Sequence, residues 1–103
     1  MAASKTLWMR FLPMLNIVPS NRFKKDLKNL AKQKLDLSLL DEVVTKLANR
    51  EPLEKRHHDH PLSGNYSGYR ECHVKPDWLL IYRIDEGDLI LFLSRTGSHS
   101  DLF

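Results

Sequence analysis

Cysteine is nearly absent: Cys72 stands alone in 103 residues. One thiol excludes a disulfide within the chain and a metal cage built from cysteine only, and the usage fits a reducing compartment, so a cytoplasmic location is expected. Cys72 itself reads as a small apolar strand residue. Long apolar runs are missing as well. The stretch from Thr6 to Leu12 is short, is interrupted by Arg10 and precedes no small-residue cleavage site, so neither a transmembrane helix nor a signal peptide is read, and no membrane partner is expected. Repeats and low-complexity tracts are also lacking. With 103 residues, 42% of them hydrophobic, the chain has material for one modest core and not for two.

Acid is scarce in the first third. Residues 1–35 carry eight Lys/Arg against Asp26 alone, a balance of +7, whereas residues 36–103 carry eight against twelve acids, a balance of −4. The dense part is Arg22, Lys24, Lys25, Lys28, Lys32 and Lys34. Such a face suits a phosphate backbone or an acidic partner, unless it is only solvated.

What is present organises the rest. Met1 to Pro13 reads as an N-terminal extension, expected to be mobile, and residues 14–103 as one domain that opens with a strand at Leu15-Asn16-Ile17-Val18. Ser20 can cap a helix over about Asn21 to Lys34, with Phe23, Leu27, Leu30 and Ala31 on one stripe and the lysines opposite. A second helix, capped by Asp36 or Ser38, runs to about Asn49 before Pro52. The short join predicts an antiparallel helical hairpin. A charged loop over 53–65 follows, broken by Gly64 and Gly68. Three strands are then expected as a meander: Tyr69 to Val74, Trp78 to Ile84 and Leu89 to Ser94, with the apolar middle one central. Thr96 to Phe103 reads as a tail. The fold class is α+β, a small antiparallel-dominated sheet against two helices.

All five histidines fall in the second half. Imidazole both gives and takes protons near neutral pH, so several on one small sheet suggest acid/base chemistry that needs no cofactor. RNA cleavage by a ribose 2′-hydroxyl requires a base, an acid and cationic donors for the charge gathering on phosphate. His60, His73 and His99 are candidate acids and bases, and Asp77 could orient a histidine or take a proton. Arg95 could clamp phosphate, with Arg70 a weaker second. Trp78 and Phe103 could stack bases. Each has a plainer counterpart: a loop cap for His60, a solvated strand residue for His73, a turn residue for Asp77, core for Trp78 and Phe103. A metal module on His57, His58, Asp59 and His60 has little support, because adjacent histidines rarely point at one ion.

Taken together, Asp59-His60-Pro61-Leu62-Ser63-Gly64, Gly68-Tyr69-Arg70, His73-Val74-Lys75-Pro76-Asp77-Trp78 and Arg95-Thr96-Gly97-Ser98-His99 closely resemble the YafQ-type branch of the RelE/ParE toxin superfamily. The likeness spans Met14 to Phe103. It implies a RelE-like fold and a bacterial toxin of a toxin–antitoxin pair that cuts messenger RNA on the ribosome without metal or other cofactor. The implied proton-transfer set is His60, His73, Asp77 and His99, with Arg95 on phosphate and Trp78 and Phe103 positioning substrate; His57 and His58 match no motif position. Implied partners are a cognate antitoxin, the ribosome and its message, and DNA only through the antitoxin complex. The rival reading is a non-catalytic protein of the same fold, a gyrase poison or an antitoxin-dependent corepressor, which has no evident need for these histidines.

Overall fold

The computed structural model describes residues 14–103; Met1 to Pro13, the expected extension, lies outside the described residues. Two helices form where capping and periodicity place them. In α1 (Asn21–Lys32), the Ser20 hydroxyl accepts the Phe23 amide at 3.0 Å, and Phe23, Asp26 and Leu30 turn inward. In α2 (Leu37–Ala48), Asp36 rather than Ser38 is the cap, and Leu40, Val43, Val44, Leu47 and Ala48 are buried. Both helices end in the same way. Lys34 and Arg50 take left-handed backbone angles (φ 60° each), and the amides of Leu35 and Glu51 reach back to the carbonyls of Leu30 and Lys46. This closing bond satisfies the last carbonyls and stops α1 before Lys34, where the periodicity alone let it continue.

The helices pack on one face of a five-stranded sheet of order β1-β5-β4-β3-β2. β1 (Asn16–Pro19) runs parallel to β5 (Ile90–Gly97); β4 (Trp78–Asp85) pairs antiparallel with β5 and with β3 (Arg70–Lys75), and the two-residue β2 (His60–Pro61) closes the other edge. As its apolar run predicts, β4 is central, and Trp78 to Tyr82 are all buried.

Three features differ from the sequence expectation. Part of the charged loop is drawn into β2, where Pro61 is tolerated because the strand lies at an edge. The last strand continues to Gly97 instead of stopping at Ser94, and the expected tail forms a short helix, α3 (His99–Leu102), closed by reciprocal bonds between Ser98 and Asp101. An extra residue, Ser94, enters β5 where Ile81 opposes Arg95 but Tyr82 opposes Leu93. That bulge reverses the alternation of β5, so Arg95 shares the face of Ile81 while Thr96 joins the helix side.

Candidate active site

Strand alternation sorts the second half of the chain onto two faces. Cys72, Val74, Trp78, Leu80 and Tyr82 point into the core beneath the helices. Glu71, His73, Leu79, Ile81 and Arg83 therefore point to the opposite, open face. Cross-strand pairing places His60, Glu71, Ile81 and Arg95 on one row of that face, and His73, Leu79 and Gly97 on the next. A small second cluster, Leu79, Ile81 and Leu102 with Leu62, Tyr66 and Tyr69 against it, seats α3 over the sheet and brings His99 to the second row.

His60 and His73 converge on one carboxylate oxygen. Each Nε2 lies 3.4 Å from Oε1 of Glu71, whose side chain is 8% exposed. The Nδ1 atoms face the carbonyls of Pro61 (3.1 Å, His60) and Pro76 (3.2 Å, His73). A carbonyl only accepts, so both Nδ1 atoms carry hydrogen and both Nε2 atoms are presented for proton exchange. The second pair stands beside the first. Asp77 Oδ1 approaches the His99 ring at 3.5 Å and accepts its backbone amide at 3.4 Å, and the His99 ring is 6.0 Å from that of His73. His58 adds its ring edge-on to His73 at 5.6 Å. The structure thus brings His60, His73, Asp77 and His99 together, and adds Glu71 and His58, which no motif singled out. Alternation was the missed signal: two residues before His73, Glu71 has to share its face.

Other expected site residues lie elsewhere. Trp78 is 3% exposed, and its indole N–H donates to the Thr96 hydroxyl at 3.0 Å, so it cannot stack on a base; it supports the turn at Asp77 from below. Arg70 alternates to the helix side and donates to Asp59 at 3.2 Å, so it cannot reach a phosphate on the open face. Asp59 also accepts the Tyr82 hydroxyl at 2.6 Å, which anchors the residue before His60 to the core. Burial pushes the Tyr82 phenol well above its ordinary range, so it remains a donor.

Arg95 is on the open face, but two of its nitrogens bind Asp26 of α1, at 2.8 and 3.1 Å, and the Thr96 amide binds the same carboxylate. Its fork is therefore held in a bidentate clasp rather than open to a phosphate. Phe103 is 62% exposed beside His99, free to meet a base. Arg22, Lys24, Lys25, Lys28 and Lys32 are all exposed on α1. Cys72 is fully buried, and burial pushes its thiol up to about 12, leaving no thiolate nucleophile near neutral pH.

Metal-ligand chemistry falls on a different set from the adjacent histidines. His57 is buried with Nδ1 2.7 Å from the His73 carbonyl, and His58 turns toward the His73 ring, so the His57/His58/His60 set is not assembled. Among the described residues, His60, Glu71 and His73 offer donor atoms that all lie within 4.8 Å of one another. Two imidazoles and a carboxylate suit a divalent ion.

Comparison with known proteins follows the same lines. A family profile described as a bacterial toxin of a type II toxin–antitoxin system, YafQ, matches residues 15–103. The mRNA interferase toxin YafQ of Escherichia coli K12 is 42% identical over 85 residues, covering 82% of this chain and 90% of that protein. The crystal structure of a metal-bound toxin from Helicobacter pylori superposes with a TM-score of 0.83 at 52% identity, covering 87% of this chain and all (100%) of that one. The E. coli DinJ–YafQ toxin–antitoxin complex matches with a TM-score of 0.80 at 40% identity, over 87% of this chain and 98% of that one.

Proposed function

The chain belongs to the YafQ family of bacterial type II toxin–antitoxin toxins, and from that premise we propose that it is an mRNA interferase that cuts messages on the ribosome by proton transfer between histidines. One observation carries the proposal: His60 and His73 aim Nε2 atoms at the single Glu71 oxygen while His99, braced by Asp77, stands alongside. In this reading the scissile phosphate lies against the edges of the His73 and His99 rings. The ribose O2′–P bond forms as the P–O5′ bond breaks. One imidazole takes the 2′-hydroxyl proton and another delivers a proton to O5′, giving a 2′,3′-cyclic phosphate and a free 5′-hydroxyl. Phe103 holds the neighbouring base. Arg95 assists phosphate only by turning from Asp26. Restraint in the cell comes from an antitoxin, the kind of partner present in the E. coli DinJ–YafQ toxin–antitoxin complex, and DNA is reached through the antitoxin complex.

The His60, Glu71 and His73 set fits a divalent ion, and the Helicobacter relative has been crystallised with metal bound. An ion there would supply a Lewis acid to phosphoryl oxygens. It would also take the two Nε2 atoms that the histidine mechanism needs for protons, so the two readings make opposite predictions.

Purified protein is incubated with programmed ribosomes and the cut ends are mapped. The expected result is cleavage within the message that persists in excess chelator once ribosome integrity is controlled for. His99→Ala should lower it by about 10²- to 10⁴-fold. Activity restored only by added zinc or manganese would establish the metal reading. An intact message together with arrested gyrase would overturn the nuclease.

A further inference from the structure

The ring contacts that join His73 to His99 and His99 to Phe103 do not end there. Edge-to-face contacts continue from Phe103 to Tyr66 (5.7 Å between centroids) and from Tyr66 to Tyr69 (6.2 Å), and the Arg83 guanidinium lies 5.4 Å from the ring centres of both Tyr69 and Phe92. Arg83 is exposed and pairs across the strands with Phe92, one row along the open face from Glu71. Strand geometry makes that step about 7 Å. Tyr66 and Tyr69 are half-buried, resting on Leu79, Ile81 and Leu102. Each perpendicular contact covers a face of only one of its two rings, whereas parallel stacking would cover a face of both.

We propose that Tyr69, Arg83 and Tyr66, continuing from Phe103, form a base-stacking subsite for the nucleotides that flank the cut on one side. The inference rests on the proposed RNA cleavage and specifies where the substrate strand goes. A strand threaded between His73 and His99 must leave across this face, because the helices fill the other. What it meets is a run of aromatic rings with a guanidinium set between two of them. Rings accept the face of any nucleobase, and arginine adds cation–π attraction to the stacked base. A purely structural patch over Leu79 and Ile81 has no need of the exposed Arg83. These groups select for stacking strength at a flanking position and leave the proton-transfer steps untouched.

The test is steady-state cleavage on programmed ribosomes, using messages in which each base within two nucleotides of the cut is replaced in turn by an abasic ribose. Tyr69→Leu keeps an apolar side chain on the second cluster, and Arg83→Gln alters only an exposed residue. Each should raise KM about tenfold on intact message with kcat little changed. On the one abasic message that lacks the stacked base, variant and parent should have the same KM. Tyr69→Phe should behave as the parent. Parental KM in both variants on intact message overturns the subsite, as does a KM rise that survives on every abasic message. So does a defect confined to neutralisation by the antitoxin, which would mark a protein-binding surface instead. A parent that cuts nothing overturns the nuclease reading and the subsite with it; a parent that cuts while the variants match it overturns the subsite alone.

Discussion

Glu71 shows how one side chain can matter more than its sequence context suggests. It sits 8% exposed between two imidazole nitrogens, and it is one of the few charged groups buried in the described chain. Burying a carboxylate costs free energy unless it is paired, and here its partners are the His60 and His73 imidazoles. Glu71→Gln keeps the size and one acceptor oxygen while removing the charge. The expected outcome is a kcat at least roughly 10²-fold lower, with a melting temperature equal to or above that of the parent, since the desolvation cost disappears as the function does. Calorimetry and single-turnover cleavage measured on the same preparation check both halves; an unchanged kcat would remove Glu71 from the mechanism. His60, His73, Asp77 and His99 were legible as candidates because short motifs carry them, and the fold brings them together. Glu71 was legible only through alternation, and Trp78 misled because an aromatic residue after a turn can face either way. Its indole found the Thr96 hydroxyl, a partner 18 residues away in the chain that no local pattern reveals.

At the scale of elements, helix starts were readable, and so was the end of α2 near Asn49, whereas the end of α1 was not. Ser20 and Asp36 are ordinary caps, whereas the stops at Lys34 and Arg50 use non-glycine residues in left-handed conformation, which gives no compositional signal. The parallel pairing of β1 with β5 joins residues more than 70 positions apart, so only the tertiary fold determines it. The join between α1 and the free upper edge of β5 was equally hidden. Asp26 accepts two bonds from Arg95 and one from the Thr96 amide, which satisfies a strand edge that β1 is too short to cover. Losing one member of a largely buried pair strands the other. Asp26→Ala should destabilise the protein by about 3 kcal/mol, whereas adding Arg95→Met to it should recover part of that loss, because no unpaired charge remains. Denaturant titration of the two single variants and the double variant checks this; strictly additive losses would mean that the pair is only a surface contact.

Across the whole molecule, the uneven charge of the sequence becomes an oriented field. Asp26 is the one acid of α1, and its charge is spent inward on Arg95, so the outer side of that helix presents Arg22, Lys24, Lys25, Lys28 and Lys32 with no acidic partner among the described residues. The net charge of +3 therefore understates what a polyanion meets on this side. Two occupants fit, and both follow from the proposed function: ribosomal RNA in the active toxin, and an acidic antitoxin segment that folds on binding in the silenced one. Reversing Lys24, Lys25 and Lys28 together to Glu touches neither the core nor the histidines. Ribosome association should weaken, and the slope of its logarithm against that of salt should fall by roughly two to three, about 0.9 for each lost phosphate contact. Cleavage of message already bound should be unchanged, since the histidines of the proposed mechanism sit on the open face of the sheet. If the triple variant associates with ribosomes as tightly as the parent across the salt series but is no longer neutralised, the face belongs to the antitoxin; if neither changes, these lysines only hold water.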